Sequence, residues 1–336
     1  MPTKAKTIWR PLARPDFGVA NAISARLNLE EWRQPGFLTA VNRGPTLLVV
    51  SDYGGDHKEC RFLSYSFLLA DLTYLWHWDD ERTRLRRDVL RDGRRLSYHR
   101  IQSDQQRARA LVPFLRAANS IPGLLITFLV DKRIQTIFAS DGDDDGVPPV
   151  DVSHWSRRSF ERLQRIAHFS SLVIAGLVGE NQNILWISDR DEIVPNDARH
   201  IEACRLFSHI ISHYVSVAIG RLQFATTRSD DGSRRLEDIA ALPDFAAGAL
   251  ADVVTSMLRE GTVGVNGILS PMSRTLPRKS QALTAWLADN SYTLKKLAFV
   301  IEHIPPDGIK SKLLQLTTNE PIAEYDPFPA LMRTLY

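Results

Sequence analysis

Three short apolar runs constrain what this chain can fold into: Thr46 to Val50, Leu124 to Val130, and Asn183 to Ser188, each followed closely by an acid. Runs of this length, rich in Val, Ile and Leu, suit strands buried on both faces. Such strands need cover above and below, and helical patterns lie around them. From Ser103, apolar positions at Ala108, Leu111, Val112, Leu115 and Ala118 follow helical spacing, with Pro113 placed to kink or shorten the helix. Ser153 to Leu177 reads as a long amphipathic helix with Ser153 as its N-cap. Further helices are expected over Asp79 to Arg91, from Pro195 through Ile211, and over Leu242 to Leu258. Phe62 to Leu75, Leu96 to Ile101 and Val215 to Thr226 read as additional strands. The alternation predicts an α/β fold, a mixed sheet flanked by helices, over residues 45–260. Residues 1–44 are expected to form an N-terminal extension. Residues 261–336 are expected to form a C-terminal helical appendage, with helices near Lys279 to Ala288 and Leu294 to Ile301.

In an open α/β sheet, functional groups gather just beyond the carboxyl ends of the strands. The three runs deliver Asp52, Asp131, and Asp189 with Asp191 to such ends. Carboxylates brought together repel, and a divalent cation relieves that repulsion. Donors that are all oxygen suit Mg²⁺ or Mn²⁺. Two such ions about 4 Å apart can clamp the attacking and leaving oxygens of a phosphodiester. Gly54 and Gly55, directly after Asp52 and Tyr53, allow a backbone or a phosphate to come close. Plainer readings stand beside these: Asp52 caps a turn before the glycines, and Asp131 pairs with Lys132 or Arg133 at the surface.

Eight of the nineteen residues from Arg82 to Arg100 are arginine. Arg84, Arg87, Arg91, Arg94 and Arg95 are candidates to neutralise a nucleic-acid backbone; the competing reading is a solvated helix face partnered by Glu81 and Asp88. Tyr74, Trp76 and Trp78 beside them suit either base stacking or packing. Asp143, Asp144 and Asp145 lack the alternate spacing of a calcium loop. His209 and His213 are four apart without an accompanying His-Glu-x-x-His pattern. Asp252, eight residues after Asp244, reads as a supporting group or a solvent-facing one. A net charge of +3, two widely separated cysteines, and no apolar h-region after Lys4 and Lys6 lead to the expectation of a cytoplasmic protein that does not associate with a membrane.

Ser51-Asp52-Tyr53-Gly54-Gly55 resembles the Asp-Glu-Ser-Gly opening of a widespread, poorly characterised bacterial family with an RNase H-like fold. Ile187 to Glu192 is similar to the acid-ended later strand of that family, and Ala241 to Gly248 to its Leu-Gln-x-Ala-Asp-x-x-Ala-Gly-like helix start. The resemblance spans roughly Thr46 to Met257. It implies an RNase H-like mixed sheet and a hydrolase that cuts DNA or RNA with Mg²⁺ or Mn²⁺, in bacterial defence or a mobile element. Under the resemblance Asp52, Asp189 or Asp191, and Asp244 would bind metal; taken with the strand-end acids, Asp52, Asp189, Asp191 and Asp244 would be catalytic, and Asp52, Asp131, Asp189 and Asp244 would hold metal. Two departures are plain: Tyr53 stands where the family has Glu, and Leu96-Ser97-Tyr98-His99 carries no acid, leaving His99 as a possible ligand or proton shuttle. The alternative reading is a catalytically degenerate module that binds nucleic acid or a partner protein; a third is a structural subunit of a larger complex, with the C-terminal helices as the docking surface.

Overall fold

In the computed structural model, which describes residues 8–12, 17–138, 155–188, 197–260, 268–269, 276–306 and 308–317, the three apolar runs lie in one seven-stranded sheet. They are β1 (Thr46–Gly54), β3 (Gly123–Asp131) and β4 (Asn183–Ser188). β2 (Phe62–Asp71), β5 (Leu222–Thr226), β7 (Lys295–Ile304) and β8 (Gly308–Leu313) complete the sheet, in the order β5-β4-β1-β2-β3-β7-β8. β6 (Ile268–Leu269) and β9 (Gln315–Leu316) form a separate parallel pair.

β1, β2 and β3 form an antiparallel meander, β4 lies parallel to β1, and β5 lies parallel to β4. β7 runs parallel to β3, and β8 returns antiparallel to it. Five strands (β1, β3, β4, β5 and β7) therefore point the same way, and their carboxyl ends share one edge of the sheet.

Both faces are covered, which is why the strands read as continuous apolar runs. Leu48 and Val50 face α2 (Trp76–Asp88), α3 (Gln105–Ala118), α6 (Arg235–Arg259) and α7 (Arg278–Ala288). Leu47 and Val49 face α1 (Gly18–Arg33), α4 (Arg157–Leu177) and α5 (Asp197–Tyr214). Each such buried aliphatic side chain contributes about 1.5–3 kcal/mol from apolar burial. α6 is the central helix of its layer. By length and composition it is apolar enough to cross a membrane, but 78% of its most apolar stretch is buried inside the protein.

Several local expectations change. α3 runs through Pro113 unbroken, and its N-cap is Asp104, which accepts from the amides of Gln106 and Arg107. Ser156 caps α4, while Ser153 lies outside the described residues. The strand expected over Leu96 to Ile101 is a single 3₁₀ turn, Tyr98–Arg100. Only Leu222–Thr226 of the segment from Val215 is strand. The helix expected over Leu294 to Ile301 is instead β7: Ala298 and Val300 pack into one core, and Leu297, Phe299 and Ile301 into the other. The C-terminal quarter is therefore not purely helical, since it supplies two strands of the main sheet.

The N-terminal segment is tied down by Trp9, which is 1% exposed and whose ring lies against Gly176 of α4. A Cβ at Gly176 would meet that ring at 2.2 Å. Gly176→Ala should lower stability by about 1–3 kcal/mol, the usual cost of overpacking, in chemical denaturation. An unchanged midpoint would mean that Trp9 does not dock there.

Candidate active site

Asp52 leaves β1 on the face covered by α6, because alternate residues share a face and Leu48 and Val50 both pack into that layer. The end of β1 comes very close to the helix: a Cβ at Gly54 would stand 3.5 Å from the backbone of Ala247. Beyond that point His57 Nε2 meets Asp252 Oδ1 at 3.3 Å. Asp52 lies two residues before Gly54 on β1, and Asp244 lies three residues before Ala247 on α6, so each acid is close in sequence to this strand–helix contact.

α6 is buried nearly all round, yet Asp244, Gly248, Asp252 and Ser256 are half-exposed. Their spacing of four residues makes one stripe up the helix. Tyr98 lies along it. Its amide donates to Asp244 Oδ2 at 2.7 Å, and its hydroxyl donates to Asp252 Oδ2 at 2.6 Å. Its ring occupies the space over Gly248, where a Cβ would come within 2.2 Å of ring carbon. α7 closes the cluster: Lys279 Nζ donates to the Tyr98 carbonyl at 3.1 Å and sits 3.9 Å from the ring centroid, and Ser280 Oγ is 2.8 Å from the phenol oxygen. Burial, reinforced by the Asp252 carboxylate, raises the Tyr98 pKa, so the phenol stays a neutral donor. Burial lowers the Lys279 pKa, while the carboxylates of Asp252 and Asp244 oppose that shift.

β4 ends beside this site. Ser188, its last residue, pairs with Ser51, one residue before Asp52. Asp189 and Asp191 come next in the chain and lie outside the described residues, as do Asp143, Asp144 and Asp145. Among the described residues, no group of three or more His, Cys, Asp or Glu side chains is arranged to hold a metal ion.

Comparison with known proteins found no matching family model, curated protein or solved structure. The site rests on its own geometry.

Asp131 is not brought to Asp52. It shares the face and the edge, but register places Asp52 opposite Ser66 and Ser66 opposite Thr127, four residues before Asp131. Two strand spacings and four residues amount to roughly 16 Å. Its buried carboxylate instead accepts from Arg61 Nη2 at 3.1 Å and Arg133 Nη2 at 2.6 Å. The pairing with Arg133 is thus formed, on a buried rather than a surface carboxylate and with Arg61 as a second partner, and two guanidiniums stand where a metal ion was expected.

The arginine run divides in two. Arg82 and Arg86 turn inward to Asp238 at the start of α6 and tie α2 to it. Arg84 and Arg87 are exposed and carry local partners, Glu81 and Asp88, while Arg91 Nε donates to the Arg87 carbonyl. Arg94 bridges to Asp92 and Asp104, and Arg95 is half-exposed. Trp78 is buried, while Trp76 is 64% exposed. His99 is exposed, and His209 and His213 contact each other ring to ring.

Tyr98, Lys279, Ser280 and His57 were not singled out from sequence. The four-residue spacing of Asp244, Gly248 and Asp252 was the available signal.

The Asp131 clamp has a pH signature. Burial raises its pKa, but hydrogen bonds from Arg133 and Arg61 outweigh that and leave it below the ordinary carboxylate value. A depressed folded-state pKa adds stability that is present above the unfolded value of about 3.9 and is lost as pH falls toward the folded one. Asp131→Asn should therefore be less stable than the parent at neutral pH, with the difference shrinking below about pH 4 in urea titrations. A difference constant from pH 7 to pH 3 would contradict the clamp.

Proposed function

We propose that this protein is an RNase H-like, Mg²⁺- or Mn²⁺-dependent nuclease. The observation that carries the reading is the close approach of Gly54 to Ala247, with Asp52 two residues before it on the strand and Asp244 three residues before it on the helix. The strand order supports it as well: a three-stranded antiparallel meander is followed by two strands parallel to the first, which is the sheet expected of an RNase H-like core. The donor set fits a hard divalent ion. Asp52 and Asp244 offer only carboxylate oxygen, and the chain supplies Asp189 and Asp191 directly after Ser188. These four would hold the metal, which when bound would polarise a phosphodiester and favour ionised water as nucleophile. Asp131, committed to Arg61 and Arg133, takes no direct part in this reading.

The second reading, a module that binds nucleic acid without cutting it, is favoured by two observations. Tyr98 already engages both Asp244 and Asp252, and Tyr53 replaces an acid next to Asp52.

Labelled single- and double-stranded DNA and RNA, incubated with Mn²⁺ or Mg²⁺, separate the two. The nuclease reading expects cleavage abolished by a chelator. Asp52→Asn and Asp244→Asn should each lose at least about 100-fold, since losing even an outer partner of a metal ligand costs about 10–100-fold. Undiminished cleavage by Asp52→Asn would sink the reading; binding without cleavage by the parent would favour the module.

A further inference from the structure

Tyr98 brings three polar groups to the candidate site, and each is held by a different partner. Its amide donates to Asp244 Oδ2 at 2.7 Å. Its carbonyl accepts from Lys279 Nζ at 3.1 Å. Its hydroxyl donates to Asp252 Oδ2 at 2.6 Å and stands 2.8 Å from Ser280 Oγ. The residue is 2% exposed, its ring lies over Gly248, and Lys279 Nζ is 3.9 Å from the ring centroid. Asp244, Gly248 and Asp252 belong to α6, and Lys279 and Ser280 to α7, so two helices fix one residue of the connection between α2 and α3.

The donor to Asp244 is a main-chain N–H. It lies in the plane of its peptide group and has no rotamers of its own, so it points wherever its residue is held. An Asp side chain turns about two bonds. The bond from Tyr98 therefore selects one orientation of the Asp244 carboxylate, and the anchors on the ring, hydroxyl and carbonyl decide how firmly. The donor is also uncharged. Asp131 and Asp238 are each matched by two guanidiniums, whereas an amide leaves the charge of its acceptor in place. A carboxylate offers about four lone-pair sites, so accepting from one amide is compatible with binding a cation. Gly248, midway between the two acids of the stripe, makes room for the ring: a Cβ there would come within 2.2 Å of it.

We propose that Tyr98 is a positioning residue of the candidate site: anchored by Asp252, Ser280 and Lys279, it holds the Asp244 carboxylate in the orientation that binds the metal ion. Asp244 is a metal ligand only under the nuclease reading, on which the proposal rests. A residue that merely packs would change stability and leave metal binding alone. A residue that orients a metal ligand shows in metal affinity, because such outer partners typically contribute about 10–100-fold to affinity or activity.

The test is Mn²⁺ affinity of the full chain without substrate, read from the paramagnetic resonance signal of free Mn²⁺, beside urea denaturation of the metal-free protein. Tyr98→Phe changes no charge and keeps the ring over Gly248, but it loses the hydroxyl bonds to Asp252 and Ser280. It should weaken Mn²⁺ binding about tenfold. Raising Mn²⁺ should then restore its cleavage toward the parent rate. Gly248→Ala, which drives the ring out, should weaken Mn²⁺ binding by at least as much. A Tyr98→Phe protein that is less stable in urea yet binds Mn²⁺ as the parent does would overturn the proposal and leave Tyr98 a packing residue. Cleavage that stays low at saturating Mn²⁺ would contradict it too. Asp244→Asn separates the two levels. If it loses Mn²⁺ while Tyr98→Phe and Gly248→Ala bind as the parent does, this inference fails and the nuclease reading survives. If it binds Mn²⁺ as the parent does, or if the parent binds none, the nuclease reading fails and the proposal with it.

Discussion

The contact between the end of β1 and the middle of α6 organises this molecule. α6 lies against the sheet along the stretch where β1, β2 and β3 are buried, and small residues on both sides permit the approach. Gly54 offers no side chain, and Ala246, Ala247 and Gly248 offer little on the helix. Ala247 is the residue that Gly54 meets, whereas a Cβ at Gly248 would run into the Tyr98 ring, so the small residues of α6 serve two different contacts. Burial of the apolar faces supplies the driving force; the small residues set how closely strand and helix approach. The polar stripe of α6 then has nowhere to go but the narrow opening at the strand ends, and there Tyr98, Lys279 and Ser280 close over it.

That arrangement joins parts of the chain that are remote in sequence. Tyr98 comes from the segment between α2 and α3, Lys279 and Ser280 from α7, and His57 from the β1–β2 connection. Each makes a hydrogen bond that a polar group half out of water needs. α2 is held to the start of α6 by Arg82 and Arg86 on Asp238, so the arginine-rich helix is anchored through the same central element.

Much of the sheet was legible because β1, β3 and β4 are buried on both faces and read as unbroken apolar runs. β7 was not, for a physical reason. Leu294, Leu297, Ala298 and Ile301 satisfy helical spacing as well as strand continuity, and only pairing with β3, some 170 residues earlier in the chain, decides between them. Leu96 to Ile101 failed in the opposite direction. Its alternation suggests a strand, but the amide of Tyr98 is committed to Asp244 and its carbonyl to Lys279, so the segment turns instead of pairing. Asp131 shows how an acid at a strand end can be read two ways from sequence. Its neighbour Arg133 was visible, but the second guanidinium, Arg61, arrives from the adjoining strand's start and settles its role. The position of Asp52 on the α6 face follows from alternation alone; its relation to Asp244 needed the helix to be docked.

The most direct test of the central claim is a crystal of the protein soaked in Mn²⁺ and measured for anomalous scattering. The account predicts a peak bonded to carboxylate oxygens of both Asp52 and Asp244, at about 2.1–2.2 Å. A peak bonded to neither, or none at a Mn²⁺ concentration that supports cleavage, would contradict it.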